Sequence, residues 1–262
     1  MSALRREALA LLEAGVPAMD VQVLSHRGSV PRETGTHMLV TRDAVLGTIG
    51  GGHLELTAIA QARQWLDAGH RDPHDAPYAL GPSLGQCCGG TLTLRTQRLG
   101  DAVLAAWPER QPRFFLQLYG AGHVGRAIVA LLSGIDCRVQ WVDERDSEFP
   151  AQALPPHIER LCVEPVEAEV AQAPPGARYL VLTHSHDLDL RITEAILRRG
   201  DFAYLGLIGS RTKRARFMHR FEERGVPADA LARLTCPIGV AGIAGKEPEV
   251  IAVAVVAQLL QR

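Results

Sequence analysis

The chain has 262 residues, a formal net charge of −1, and 47% hydrophobic and 22% charged residues. That length fits one large domain or two modest ones, and the composition is that of a folded protein able to bury a sizeable core. The near-neutral balance gives no reason to expect nucleic acid or an acidic membrane as a partner.

The opening MSALRREALALLEAG reads as an amphipathic helix over Ala3–Ala14 with Gly15 as its stop, neither signal peptide nor anchor. Val21, Val23 and the run Met38–Val40 suggest short strands, with Asp43 in a turn. The triplet Gly50-Gly51-Gly52 leads into a helical pattern carried by Leu54, Ala58, Ile59, Ala62, Trp65 and Leu66. The Pro/Asp/His-rich stretch His70–Pro77 reads as loop, and Thr91–Leu94 alternates like a strand. Thr96–Pro112 carries no firm pattern and is taken as a boundary. Beyond it, β-rich runs (Phe114–Tyr119, Arg138–Val142, Tyr179–Thr183, Tyr204–Ile208) alternate with helical patterns (Val124–Leu132, Leu188–Arg198, Arg211–Glu223, Glu249–Leu260). Such alternation argues for a parallel sheet with helices on both faces. The expected architecture is a small α/β domain over 1–100, a linker over 101–112 and a Rossmann-like domain over 113–262. The apolar Val250–Leu260 stretch is too short to span a bilayer. The five cysteines, an odd number, form no paired framework of the secreted kind, so a reducing cytoplasm is expected.

The motif Gly120-Ala121-Gly122-His123-Val124-Gly125 follows an apolar strand and opens a helix. Its three glycines suit a tight turn, backbone approach to a pyrophosphate, and close helix–strand packing. Asp143 ends the next strand, where a carboxylate can bind ribose hydroxyls, favouring a free 2′-hydroxyl; Arg145 nearby blurs that preference. The plainer alternative is a strand–helix turn beside a solvated Asp. His123 could touch a phosphate or fill a variable slot.

Arg32 and the glycines Gly50, Gly51 and Gly52 form a second candidate anion cradle at a helix start. The alternative is a hairpin turn and a helix cap, with His53 and Glu55 as capping or surface residues. Cys87 and Cys88, flanked by glycines, could be a small-residue turn with one buried thiol. They could also supply a thiolate for a soft metal or for carrying sulfur. Thr183-His184-Ser185-His186-Asp187-Leu188-Asp189 follows a strand of the second domain. His184 and His186 suit pocket lining better than a metal site, and Asp187 suits an N-cap. Ser210 and Arg211, at the start of the following helix, suit an anionic ligand, as does Lys246 before the last helix; a solvated basic face is the bland reading.

Taken together, GSVPRETGTHMLV, GTIGGGHLE, LGQCCGG, LYGAGHVG, WVDERDSEFP, THSHDLDL, YLGLIGSRTKRARF and CPIGVAGIAGKEP resemble the XdhC/CoxI family of xanthine dehydrogenase accessory proteins. Eight motifs in this order cover nearly the whole chain, and the double cysteine points to the XdhC branch. GVAGIAG stands where a GLPGIGG-like stretch is more usual. The resemblance implies a dimeric chaperone that binds molybdenum cofactor and assists its sulfuration with a cysteine desulfurase. It then helps insert the cofactor into xanthine dehydrogenase. Cys87 or Cys88 would sit near molybdenum or the transferred sulfur, Arg32 and Gly50–Gly52 would line the pterin side, and the Gly120–Gly125 turn would hold a phosphate-bearing part. The Rossmann turn could instead hold a separate nucleotide or NAD. The competing functions are an NAD-dependent oxidoreductase and nucleotidyl or pterin-modifying chemistry on a metal held by His184, His186 and Asp187.

Overall fold

The computed structural model describes residues 3–80, 89–108 and 111–261. The chain divides into two compact units, Met1–Gln111 and Pro112–Arg262.

In the first unit the elements run α1 (Ala3–Glu13), β1 (Met19–Arg27), β2 (His37–Val40), β3 (Val45–Gly47), α2 (Gly52–Asp67), β4 (His74–Ala79), β5 (Thr91–Arg98) and α3 (Asp101–Ala105). The strands form an antiparallel sheet in the order β3-β2-β1-β5-β4. Successive side chains of a strand point to opposite faces, and that alternation sorts two cores here. Met19, Val21, Val23, Met38 and Val40 pack with Leu54, Ala58 and Ala62 of α2. Leu39, between Met38 and Val40, packs with Ala8 of α1, Leu104 of α3 and Trp107. Two expectations change. His70–Pro77 is not all loop, because β4 begins at His74; its exposed edge position leaves it polar, which hid the strand period. The stretch expected as linker over 101–112 begins with α3, whose Leu104 is buried beside Trp107.

The second unit comprises β6 (Phe115–Tyr119), α4 (His123–Leu132), β7 (Arg138–Asp143), β8 (Ile158–Cys162), β9 (Arg178–Val181), α5 (His186–Arg199), β10 (Tyr204–Leu207), α6 (Arg211–Glu223), α7 (Ala228–Ala232), β11 (Leu234–Thr235) and α8 (Pro248–Leu260). All six strands pair in parallel, in the order β11-β10-β9-β6-β7-β8. Counted along the chain from β6, this is the doubly wound Rossmann order, which reverses direction between the first and fourth strands. One face packs α4 and α8 against the sheet through Ile128, Leu132, Ala252, Val255 and Leu259. The other packs α5, α6 and α7 through Ile192, Ile196, Phe217, Phe221 and Leu231. Short 3₁₀ turns at Asp146–Glu148 and Val166–Gln172 stand where longer helices would flank β8. The α/β class with a smaller domain ahead of a Rossmann-like one is therefore the observed class.

Candidate functional site

In an open parallel sheet, ligands bind outside the carboxyl ends of the strands, where the order reverses. Here that point lies between β6 and β9. The chain leaves β6 at Gly120 and β9 at Leu182, and the two segments touch. Gly120 sits at φ 117°, and a Cβ there would lie 2.4 Å from the Leu182 carbonyl oxygen. Gly125, on the first turn of α4, has no more room: its Cβ would come within 2.1 Å of the Gly120 oxygen. Gly122 is the N-cap of α4, and a Cβ there would meet open space. Two glycines are thus required by packing, and the middle one leaves the helix start accessible. His123 is the first residue of α4 and is exposed.

Asp143, at the end of β7, is only 4% exposed. Its Oδ2 accepts the Ala121 N–H at 2.7 Å, which pins the glycine turn to the neighbouring strand. Arg145 covers the rest of the carboxylate, with Nε at 3.0 Å from Oδ1 and Nη2 at 3.0 Å from Oδ2. Burial works to raise its pKa, but the Arg145 fork and the Ala121 and Arg145 N–H groups outweigh it and hold the carboxyl below the usual range. The ribose-binding position anticipated from sequence is therefore taken up by the chain's own guanidinium.

The loops after β9 and β10 meet. Ser185, not Asp187, caps α5: its Oγ accepts the Leu188 N–H at 3.4 Å, because the helix begins at His186 and Asp187 already lies in the first turn. Ser210 caps α6 and accepts the Lys213 N–H at 3.2 Å. Beneath them lies a buried ion pair, Lys213 Nζ to Asp189 Oδ2 at 2.5 Å, with the side chains 8% and 1% exposed. Asp189 Oδ1 accepts from the Thr183 N–H at 2.9 Å and its hydroxyl at 2.7 Å. Lys213 also donates to the Ile208 carbonyl at 2.8 Å. These groups line a pocket of about 410 Å³ with His184, His186, Ser210, Thr212 and Arg216. Of the residues anticipated here, His184, His186 and Ser210 share that pocket. Arg211 is exposed outside its lining, and Lys246 is exposed in the loop before α8. His184 Nε2 lies 3.5 Å from Glu144 Oε1, linking the loop to the end of β7. Asp189, Lys213 and Thr183 lie within segments singled out from the sequence, Asp189 there as a possible metal ligand and Lys213 among the cations suited to an anion, but their buried ion pair was not anticipated. The available signal was an acidic residue on the stripe of α5 that its apolar neighbours Leu188, Leu190 and Ile192 bury.

In the first unit, Pro31 packs on Gly50, whose Cβ would fall 2.4 Å from the proline Cβ. The carbonyls of Arg27 and Ser29 abut Gly90, where a Cβ would come within 2.6 and 2.4 Å of them. The turn before Arg32 therefore touches both the glycine triplet and the glycine that follows the cysteine pair. Cys87 and Cys88 lie outside the described residues. Arg32 itself is exposed. The loop amides are not open as an anion cradle. Glu55 Oε2 accepts from the Thr48 hydroxyl at 2.5 Å and from the Ile49 and Gly51 N–H groups at 2.9 and 3.1 Å. Partial burial raises the Glu55 pKa, but the Thr48 hydroxyl and the Gly51, Ile49 and Gly50 amides together hold it below the ordinary carboxylate value.

Three cysteines belong to the described residues. Cys137 and Cys236 are buried, and burial pushes the Cys137 thiol up to about 11, which disfavours thiolate chemistry there. Cys162 is exposed at the end of β8. Among the described residues no group of three or more His, Cys, Asp or Glu side chains is arranged to hold a metal ion. No helix among them is long and apolar enough to cross a membrane.

The family model described as the XdhC Rossmann domain matches residues 116–259, and that of the XdhC and CoxI family matches residues 11–74. The chain is 34% identical over 267 residues to a protein of Escherichia coli (strain K12) called Uncharacterized protein YqeB, covering 97% of this chain and 45% of that protein. It thus spans about half the length of that relative. A solved structure from Bacillus halodurans, described as a xanthine dehydrogenase, shares the fold with a TM-score of 0.76 at 19% identity, over 98% of this chain and 94% of the other.

Proposed function

The chain belongs to the XdhC and CoxI family, and from that premise we propose that it is a carrier of molybdenum cofactor serving the maturation of xanthine dehydrogenase. In this reading it holds the cofactor as cargo and protects it during sulfuration by a cysteine desulfurase. It then presents the cofactor to the target enzyme, acting as a homodimer. The observation that carries the reading is the meeting of the glycine turn and the His184–Lys213 pocket at one carboxyl edge of the sheet. That edge offers free helix N-termini and cations, which suit a guest bearing phosphate. In the first unit, Cys87 or Cys88 would act as the soft donor that the sulfuration step calls for. Their neighbour Gly90 is held against the Arg27–Ser29 turn, beside Pro31 and Arg32.

An NAD-dependent oxidoreductase would use the same strand order. The closed Asp143–Arg145 pair counts against it, because a ribose diol would have to displace a two-point guanidinium contact. The test is purification of the full chain from cells that make the cofactor, followed by fluorescence of the oxidised pterin and molybdenum analysis. Near-equimolar pterin and molybdenum are expected. A Cys87→Ala/Cys88→Ala variant should then fail to support activation of xanthine dehydrogenase. Pterin-free protein, or hydride transfer from reduced nicotinamide to a carbonyl, would displace the carrier reading.

A further inference from the structure

The glycine turn is the place where a Rossmann unit ordinarily meets phosphate, yet a cationic concavity of this unit lies beside it, over the ends of β9 and β10. Four features converge there. Lys213 is 92% buried; its Nζ donates to Asp189 and to the Ile208 carbonyl and lies 5.3 Å from the Phe217 ring centroid, so a fixed positive charge sits in the pocket lining. Arg216, exposed and one turn further along α6, adds a second cation at the rim. α5 and α6, of 14 and 13 residues, both start at the pocket. Ser185 and Ser210 cap only the Leu188 and Lys213 amides. The N–H groups of His186, Asp187, Arg211 and Thr212 are left without intrahelical acceptors. Finally, the buried carboxylate that could repel an anion is fully engaged by Lys213 and Thr183.

We infer that this pocket binds the terminal phosphate of a small phosphate monoester, with Lys213 and Arg216 as its cationic ligands and Asp189 as the residue that positions Lys213 and the Thr183 loop. A tetrahedral dianion suits two helix starts and two cations better than a planar carboxylate does, since it presents more acceptor oxygens. The volume of about 410 Å³ leaves room for the organic part of an ester beside its phosphate. The site stands on its own groups. The carrier reading above enters only in what would hang from the phosphate.

The test is calorimetric titration of the full chain with inorganic phosphate and, separately, with adenosine 5′-monophosphate. Wild type should bind at least one of them, and the tighter of the two tells whether the free ion or an ester is the better occupant. Arg216→Ala removes an exposed side chain, so the fold is kept, and should weaken binding by about tenfold or more. Lys213→Met should weaken it further; Arg220→Ala, on the same helix outside the pocket lining, should leave it unchanged. No heat with either probe, or affinity unaltered by Arg216→Ala, would overturn the assignment. So would affinity lost equally in Arg220→Ala. None of these results bears on whether pterin copurifies, so the carrier reading stands or falls separately.

Discussion

At Gly120 and Gly125 the space is already filled by backbone oxygens, so the three glycines of the turn make opposite demands. Gly125→Ala would drive a methyl group into the Gly120 carbonyl. Backbone cannot yield as a side-chain tip can, and a loss of about 1–3 kcal/mol or more is expected in urea denaturation. Gly122→Ala meets open space and should cost no more than about 1 kcal/mol, the difference between a tolerated and a poor N-cap. Equal losses at the two positions would contradict this account. Glu55 makes a second prediction. Removing its charge in Glu55→Gln weakens the hold on the Thr48 hydroxyl and the loop amides, at about 1–2 kcal/mol. Because the folded pKa is depressed, that contribution is full above the unfolded value of about 4.3 and is lost as pH falls through the folded value. The stability gap between wild type and variant should therefore close on acidification below about pH 4.3, and a gap that widens there would refute it. The spacing of the Gly120–Gly125 motif was readable because backbone crowding depends on local geometry. The capping role open to Glu55 was readable too, but its full set of partners and the role of Asp143 were not. Whether a carboxylate faces a ligand or its own chain depends on a neighbour's rotamer, and periodicity carries no trace of that.

Asp189 and Lys213 join two elements, and their worth is best measured together. Lys213→Met alone strands a buried carboxylate and should cost about 3–5 kcal/mol in urea denaturation. Adding Asp189→Asn removes the orphaned charge while keeping an acceptor for Thr183, so the double variant should recover part of the loss. A double variant less stable than Lys213→Met would show the pair is not the coupled unit described. Elements with a strong period, such as α4, α5, α6, β6 and β9, were legible from the sequence within a few residues, because each buries a continuous apolar face. β8 and β4 were not. Both are edge strands with charged or polar residues on their open sides, so the feature that places them at an edge also erases the alternation that would reveal them.

Each unit has its own core: Met19, Val21, Met38, Leu54 and Leu94 in the first, and two clusters on either face of the parallel sheet in the second. Expressed separately, residues 1–111 and 112–262 should each unfold in a single cooperative step in urea, monitored by circular dichroism. A gradual, non-cooperative loss of signal in either fragment would show that it depends on the other. The outermost strands carry a further consequence. β3 has three residues and β11 two, β8 exposes Glu159 and Arg160, and β4 carries Pro77, which has no amide proton to give. Among the described residues, ribbons from neighbouring molecules thus find only short or interrupted ladders to extend, which works against fibril growth. Copies of this protein would have to recognise each other by other surfaces, and Pro77→Val, by restoring a donor, should raise thioflavin-positive aggregation in concentrated solution.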